Sequence, residues 1–182
     1  MFRYRDKTLR HFWHPYNWTH TNERQVELPV VFDWLSRRSG SGLEVGNVTP
    51  NYISTNHHVI DIVEKHDHVD NTNLFDIEGT YDWILAISTI EHVGWDNEIG
   101  KRNPFEAICH LLSLLAPNGS MMVTVPVGYN WTLDQDLTEG TGADRWGCVY
   151  RSQGEWEYKE GFKWEPYTIG ACSVWFGEWG PE

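Results

Sequence analysis

Four apolar runs of strand length constrain the fold of this chain more than any other feature of its sequence. The runs are GLEVG (42–46), HHVIDIV (57–63), YDWILAIS (81–88) and SMMVTVPV (120–127). Their apolar character is nearly continuous, which is typical of strands that are buried on both faces of a parallel sheet. Such a sheet is covered by helices, so the sequence predicts an α/β fold.

Two segments have the apolar spacing of helices. In residues 21–40, apolar side chains recur at helical intervals, and Pro29 indicates either a kink or a helix that begins at that residue. In NPFEAICHLLSLLAPNG, Asn103 is a predicted N-cap and Glu106 completes a capping box. The sequence PNG (117–119) predicts the end of this second helix.

The connections and the C-terminal strands predict a small version of such a fold. The first two apolar runs are separated by residues 47–56, which include Pro50, so a covering helix there has one or two turns or is absent. The segments CVYRSQGEWEYKE (148–160) and GACSVWFGEW (170–179) predict two strands that form an antiparallel pair and close the sheet.

The length and the net charge of the chain limit its domain organisation and the classes of partner that it can bind. A chain of 182 residues predicts a single domain, with an aromatic segment and a helix in 1–40, a core in 41–130 and closing strands in 131–182. The formal net charge of −12 argues against a nucleic-acid surface, because phosphate contacts need clustered Lys and Arg. The sequence has neither an N-terminal signal pattern nor an apolar run of membrane-spanning length, so we expect a cytoplasmic protein without a membrane span.

The predicted strands end in polar residues, at the edge where open α/β sheets bind ligands. These endings are EVGN (44–47), DIVE (61–64), STIEH (88–92) and PVGYN (126–130). Their order and spacing resemble class I S-adenosylmethionine-dependent methyltransferases, near the ubiquinone-type O-methyltransferases. The resemblance implies a Rossmann-like sheet that is mostly parallel with an antiparallel C-terminal strand. LEVGNV and STIEHVG also resemble a branch that is associated with surface-polysaccharide assembly.

The resemblance implies a site for S-adenosyl-L-methionine in the core. Glu44 would hold the amino group of the methionine moiety, and Gly46 would let the backbone approach the cofactor because it has no Cβ. Asp61 and Glu64 are alternatives for accepting hydrogen bonds from the ribose hydroxyls. Asn73 would contact the adenine edge, since an amide both donates and accepts hydrogen bonds. The remaining implied cofactor contacts are Asn47, Leu74, Ser88 and Thr89.

The resemblance also implies catalytic and acceptor residues. His92, next to Glu91, follows the third strand, and an imidazole can act as a general base near neutral pH. The implied reaction is O-methylation of a small-molecule or saccharide acceptor, with the rings of Tyr129, Trp131 and Trp146 as stacking faces. Aromatic rings beside carboxylates suit a hydroxylated acceptor, and further candidates of these kinds are Phe12, Trp13, Tyr16, Trp18, Asp134 and Asp136. The loop of residues 128–147 is alternatively a lid without direct contact.

Two departures from the family pattern leave a second function open. Val48 and Pro50 stand where the family's loop has its second and third glycines. Ser88 stands at the first position of the Glu-x-x-Glu-His cluster with which some relatives bind a divalent metal, so no metal is predicted. The histidines between positions 57 and 68 lack a cysteine or an ordered second pair, and do not indicate zinc. The alternative is a catalytically silent binding or scaffold module with the same fold.

Overall fold

The computed structural model describes residues 1–96, 102–165, 167 and 170–181. These residues form two compact units, one of Met1–Arg38 with Thr124–Gly177 and one of Ser39–Val123 with Glu178–Glu182. The assignment of the whole chain to a single domain stays a prediction. Within the described ranges, every helix is too short or too polar to span a bilayer.

Short strands and three α-helices make up the regular structure of the described residues. The helices are α1 (Arg24–Leu35), α2 (Pro104–Ser113) and α3 (Trp131–Leu137). The strands are β1 (Phe2–Tyr4), β2 (Lys7–Leu9), β3 (Gly42–Val45), β4 (His58–Ile60), β5 (Tyr81–Ile87), β6 (Leu115–Pro126), β7 (Arg145–Ser152), β8 (Glu155–Glu160) and β9 (Ser173–Trp179).

Seven strands form one sheet in the order β4-β3-β5-β6-β9-β7-β8, and β1 pairs with β2 in a separate antiparallel hairpin. Strand β3 pairs in parallel with β4 and β5, whereas β7 and β8 are antiparallel. The sheet is mostly parallel, which confirms the predicted Rossmann-like α/β class. A single short 3-10 turn, Thr49–Asn51, lies in the connection between β3 and β4.

Helix α1 continues through Pro29 instead of beginning there. A proline has no N–H, so the carbonyl of Gln25, four residues earlier, cannot receive its usual helical hydrogen bond. The backbone N–H of Phe12 donates to that carbonyl at 2.9 Å. The segment before the helix therefore supplies the missing donor.

Helix α2 has the predicted capping box, but it ends earlier than predicted. Oδ1 of Asn103 accepts from the N–H of Phe105 at 2.8 Å, and Oε2 of Glu106 accepts from the N–H of Asn103 at 3.4 Å. The predicted stop at residues 117–119 is wrong, because these residues lie within β6. Asn118 has a φ of 66°, so the PNG sequence forms a local departure from extended backbone inside the strand range.

The C-terminal segment 148–160, predicted as one strand, is a hairpin. Ser152 of β7 pairs with Glu155 of β8, which leaves Gln153 and Gly154 as a two-residue loop. Both loop residues have positive φ, at 51° and 90°, as hairpin turns of the primed types require. Strand β9 lies between β6 and β7 in the sheet, so the two segments are neighbours as predicted, although the first of them supplies two strands instead of one.

We expect Asn103→Ala to lower the free energy of unfolding by about 1 kcal/mol, because the substitution removes the acceptor that caps α2. Equilibrium urea unfolding measures the change. Asn103→Asp is the matched control, since aspartate is an equally good N-cap and should retain most of the stability. An aspartate variant as unstable as the alanine variant would contradict the capping role.

Candidate functional site

The carboxyl ends of three parallel strands form the candidate site in the unit of Ser39–Val123 and Glu178–Glu182. Val45 of β3 pairs with Ile60 of β4 on one side and with Ala86 of β5 on the other. The chain passes from β3 outward to β4 and then to the opposite neighbour β5, so the strand order reverses at β3. Ligands of open α/β sheets bind at such a reversal. The residues that follow the three strands are Gly46, Asp61 and Ser88.

Glu44 points into the interior beside this edge, and its side chain is fully buried. Oε1 accepts hydrogen bonds from the backbone N–H of Val48 at 3.1 Å and of Thr49 at 2.7 Å. Oε2 accepts from the hydroxyl of Thr49 and from Nε2 of His57, which lies 2.6 Å away. The carboxylate therefore holds the loop that follows β3.

Gly46 follows β3 in a left-handed conformation, with a φ of 89°. Its N–H donates to the carbonyl of Ile60 at 2.8 Å, which ties the strand end to β4. A Cβ at this position would lie 2.2 Å from Oγ1 of Thr89, the second residue after β5. Glycine is thus required both by the backbone conformation and by the close approach of the Thr89 side chain.

Asn47 connects the loop to the acidic residues at the end of β4. Its backbone N–H donates to Oδ2 of Asp61 at 3.1 Å, and its side-chain amide donates to Oε2 of Glu64 at 2.8 Å. Its side-chain oxygen lies 3.0 Å from Nε2 of His68. The resemblance implied Asn47 only as a cofactor contact, whereas the structure places it as a buried link between two carboxylates.

Asp61 and Glu64 lie together at the end of β4, and both are half-buried. Oδ1 of Asp61 accepts from the N–H of Val63 at 2.8 Å and of Glu64 at 2.9 Å, so Asp61 forms the turn that ends the strand. The predicted strand over residues 57–63 accordingly stops at Ile60. The Glu64 side chain is 43% exposed. Both ribose candidates stay predictions.

The residues implied to contact adenine lie in the turn before β5. Oδ1 of Asn73 accepts from the N–H of Phe75 at 3.0 Å and caps the 3-10 turn Leu74–Asp76. Leu74 is half-buried beside it. The Phe75 ring lies under the guanidinium of Arg102, 4.5 Å from its centroid, so a flat, partly apolar surface is present at this turn.

Ser88 and Thr89 continue β5 into a strained turn. Ser88 has a φ of 42°, which is uncommon for a residue other than glycine. The Thr89 hydroxyl donates to the carbonyl of Ile87 at 3.0 Å, while its side chain covers Gly46. Strained backbone of this kind clusters at functional sites. Both residues lie at the carboxyl end of β5, and their contact with a cofactor stays a prediction.

His92 and Glu91 lie in the turn after Thr89, and the structure adds a third member, Asp96. Nδ1 of His92 hydrogen-bonds to Oδ2 of Asp96, and Nε2 lies 3.7 Å from Oε1 of the buried Glu91. A carboxylate that accepts from Nδ1 selects the tautomer in which Nε2 is the basic nitrogen. The His92 side chain is 46% exposed. The arrangement can therefore take a proton from a bound group.

The histidines after β3 have separate partners in the structure. His57 bonds to Glu44 and His68 to Asn47, whereas His58 lies between Tyr81 and Asp70. Across the residues that the structure describes, no three His, Cys, Asp or Glu side chains come together as a set of metal ligands.

The acceptor residues predicted beyond the core lie in the other unit, Met1–Arg38 with Thr124–Gly177. Trp131 begins α3 and is 61% exposed, whereas the Trp146 ring packs on Gly140, where an added Cβ would lie 2.4 Å from Nε1. The Tyr129 ring meets Tyr167 edge-on at 5.3 Å. Trp131 therefore offers a solvent-facing ring, while the other two side chains have packing roles.

The aromatic segment before α1 presents further rings to solvent. Trp13, Tyr16 and Trp18 are 66%, 47% and 71% exposed, respectively. The His20 ring lies 6.5 Å from the Trp13 ring and 6.2 Å from the Trp18 ring. Thr19 is buried and bonds the backbone of His14 in both directions, which anchors the segment. Phe12 is half-buried and packs edge-on against Phe32.

Asp134, in α3, is a buried carboxylate with one bonded oxygen. Oδ2 accepts from the N–H of Gly128 at 2.9 Å, whereas Oδ1 is buried without a hydrogen-bond partner. Burial raises the pKa of Asp134 to about 6, and the Gly128 N–H opposes this in part. Burial also raises the pKa of Asp136, and nearby Glu139 adds to the effect.

Sequence reasoning missed His57 and Asp96 as parts of the site. His57 lies thirteen residues after Glu44 in the sequence, and only the pairing of β3 with β4 brings the two together. Asp96 lies four residues after His92, and this spacing already allows a contact across one turn.

The fold has known relatives in structure, although the sequence has none that comparison detects. No protein-family model matches the chain, and no curated protein is significantly similar to it. The N-methyltransferase NodS of Bradyrhizobium japonicum WM9, in complex with S-adenosyl-L-homocysteine, superimposes with a TM-score of 0.54 at 17% identity over 88% of both chains. The chain has the fold of that methyltransferase. A second structure of NodS gives a TM-score of 0.51 at 17% identity over 88% of this chain and 97% of NodS.

We expect Gly46→Ala to lower the free energy of unfolding by at least about 2 kcal/mol, because its methyl group overlaps Thr89 and its backbone is left-handed. Urea unfolding measures the loss. The same substitution in a Thr89→Ala background tests the cause, since removal of the hydroxyl relieves part of the overlap and should recover part of the loss. Equal losses in the two backgrounds would contradict the packing explanation.

The raised pKa of Asp134 predicts a pH dependence of stability. The protonated carboxyl stabilises the folded state fully below pH 3.8, the ordinary pKa, and this contribution is lost as the pH rises through about 6. The side chain of Asp134→Asn cannot ionise, so its stability should not fall as the pH rises. Above about pH 6, the free energy of unfolding of this variant should exceed that of the wild type by about 2 kcal/mol. Urea unfolding across this pH range measures both proteins, and parallel pH profiles would contradict the prediction.

Proposed function

We propose that this protein binds S-adenosyl-L-methionine at the carboxyl ends of β3, β4 and β5 and transfers the methyl group to an acceptor. The observation that carries the proposal is the strand reversal at β3, where a left-handed glycine and two acidic residues lie beside one another. The fold shared with NodS supports the same reading, because NodS was crystallised with S-adenosyl-L-homocysteine.

The residues at the end of β4 fit the ribose of this cofactor. Two vicinal hydroxyls need paired acceptors, which a carboxylate provides. Asp61 and Glu64 are held next to each other by the two donors of Asn47. Asn73 and Leu74 would contact the adenine, which the Phe75 ring and its neighbours would flank.

The residues at the ends of β3 and β5 fit the methionine moiety. Gly46 brings the loop after β3 against Thr89, and Ser88 and Thr89 would offer hydroxyl and carbonyl oxygens to an ammonium group. Glu44 was implied to hold that ammonium group directly. Its burial and its four bonds to the protein favour an indirect role instead.

His92 supplies the chemistry that an oxygen acceptor needs. The bound cofactor would provide an electrophilic methyl group on a sulfonium. The acceptor oxygen gains this methyl group and loses its proton, and Nε2 of His92 would accept that proton while Asp96 holds Nδ1. Glu91, 3.7 Å from Nε2, would stabilise the imidazolium that forms.

We further propose a small-molecule or saccharide acceptor, with surface-polysaccharide assembly as its setting. Exposed tryptophans such as Trp131, Trp13 and Trp18 provide stacking faces for a ringed, hydroxylated molecule. The resemblance of LEVGNV and STIEHVG supports the setting. NodS is an N-methyltransferase. The choice of oxygen as the acceptor atom here comes from the base at His92.

Calorimetric titration with S-adenosyl-L-homocysteine tests the cofactor site. We expect saturable binding by the wild type and at least about tenfold weaker binding by whichever of Asp61→Asn or Glu64→Gln removes the ribose acceptor, since hydrogen bonds to charged groups contribute about 1.5–3 kcal/mol. Asp67→Asn, an exposed acid in the same loop, is the control and should bind as the wild type does. No heat at high ligand concentration would refute the proposed function.

The second candidate function is a catalytically silent binding module, which the single glycine of the loop favours. The two candidates differ in turnover. Labelled methyl transfer to a panel of sugars and phenols should be detectable with wild-type protein and at least about hundredfold slower with His92→Ala, the range of general-base effects. Cofactor binding without transfer to any acceptor, and identical behaviour of His92→Ala, would favour the silent module.

A further inference from the structure

The carboxylate of Glu44 has its hydrogen-bonding capacity filled by the protein itself. A carboxylate offers about four lone-pair sites on its two oxygens. Two backbone N–H groups, of Val48 and Thr49, bind Oε1, and two side chains, of Thr49 and His57, bind Oε2. The side chain is also fully buried. Glu44 therefore has neither an open acceptor site nor solvent access with which to bind the ammonium group of a cofactor.

The His57 ring is a fixed part of this arrangement. Its side chain is 6% exposed, and the ring packs edge-on against Trp83 of β5 with centroids 4.9 Å apart. A carboxylate carries no proton, so Nε2 of His57 is the donor in the 2.6 Å bond. Loss of this donor would leave part of a buried charge without a partner, which is strongly unfavourable.

The loop that Glu44 holds is the one that follows the glycine of the candidate site. Val48 donates to the carbonyl of Gly46 at 3.0 Å, and the 3-10 turn Thr49–Asn51 begins directly after it. Within residues 47–52, no glycine permits an unusual backbone path. The path is instead fixed by two N–H groups that converge on Oε1 of Glu44.

We propose that His57 and Thr49 are positioning residues that hold the cofactor loop through Glu44, and that Glu44 acts on the cofactor only through this loop. The proposal rests on the proposed cofactor site. In this proposal Glu44 makes no direct contact with the methionine moiety. The side-chain donors of His57 and Thr49 fix the path of the loop, at positions 47–52 where the resembled family pattern has further glycines.

The test compares three variants by two measurements. His57→Leu removes the donor and keeps an apolar side chain against Trp83, whereas His57→Gln keeps an N–H that can reach Oε2. Thr49→Val removes the hydroxyl donor and keeps the shape and the backbone N–H. The first measurement is amide hydrogen exchange at Val48 and Thr49 without ligand, and the second is the affinity for S-adenosyl-L-homocysteine.

We expect His57→Leu and Thr49→Val to speed exchange at both amides by at least about tenfold and to weaken ligand binding by about tenfold, the loss typical of one hydrogen bond to a charged group. His57→Gln should stay within about threefold of the wild type in both measurements. A direct contact by Glu44 predicts faster exchange without loss of affinity in the first two variants, and that result would overturn the proposal.

The two measurements separate this proposal from the proposed function. If wild-type protein does not bind S-adenosyl-L-homocysteine, the proposed function fails, and so does the role of His57 and Thr49 toward the cofactor. The exchange rates still decide whether His57 holds the loop. Unchanged amide exchange in His57→Leu and Thr49→Val would refute the role of these side chains in holding the loop, whether or not the protein binds the ligand. If His57→Leu does not fold, Thr49→Val tests the other donor to the same oxygen.

Discussion

The arrangement of the candidate site depends on the hydrogen bonds that the carboxylate of Glu44 accepts. Glu44 lies in β3, the strand between β4 and β5, and its four hydrogen bonds set the path of the loop after Gly46. That loop places Asn47, whose two donors reach Asp61 and Glu64. Glu44 in β3 therefore positions Asp61 and Glu64 at the end of β4 indirectly, through the loop that contains Asn47.

Much of the fold could be predicted because its strands are buried and its main helix has a local start. Near-continuous apolar runs identified β3, β5 and β6, and the capping box at Asn103 identified the first turn of α2. The errors arose where distant parts of the chain decide the outcome. Helix α1 does not begin at Pro29, where Phe12 donates to the carbonyl of Gln25, and the PNG sequence after α2 is incorporated into a strand.

In the candidate site, too, local features could be predicted from the sequence and contacts between distant residues could not. Strand endings are local features, so Gly46, Asp61 and Ser88 could be placed at the sheet edge from sequence alone. Hydrogen-bond partners are not local, because His57 reaches Glu44 only after β4 has paired with β3. Glu44 was accordingly predicted at its position but not in its surroundings, and a carboxylate's surroundings decide whether it can bind a ligand.

In the proposed cofactor site a single glycine would serve where the resembled pattern has three, because Gly46 has a left-handed backbone and closely approaches Thr89. The remainder of the loop is held by hydrogen bonds to Glu44 rather than by backbone freedom. This distinction matters for function, since a loop held by donors on neighbouring residues is already ordered before a ligand arrives. Binding then costs less conformational entropy than it would with a flexible glycine-rich loop.

A crystal structure with S-adenosyl-L-homocysteine tests the central claim most directly. We expect ligand density at the carboxyl ends of β3, β4 and β5, with the ribose against Asp61 or Glu64 and Glu44 still bonded to His57 and Thr49. Density at another place on the protein would contradict the account, and so would a crystal grown at saturating ligand that shows no density at this edge.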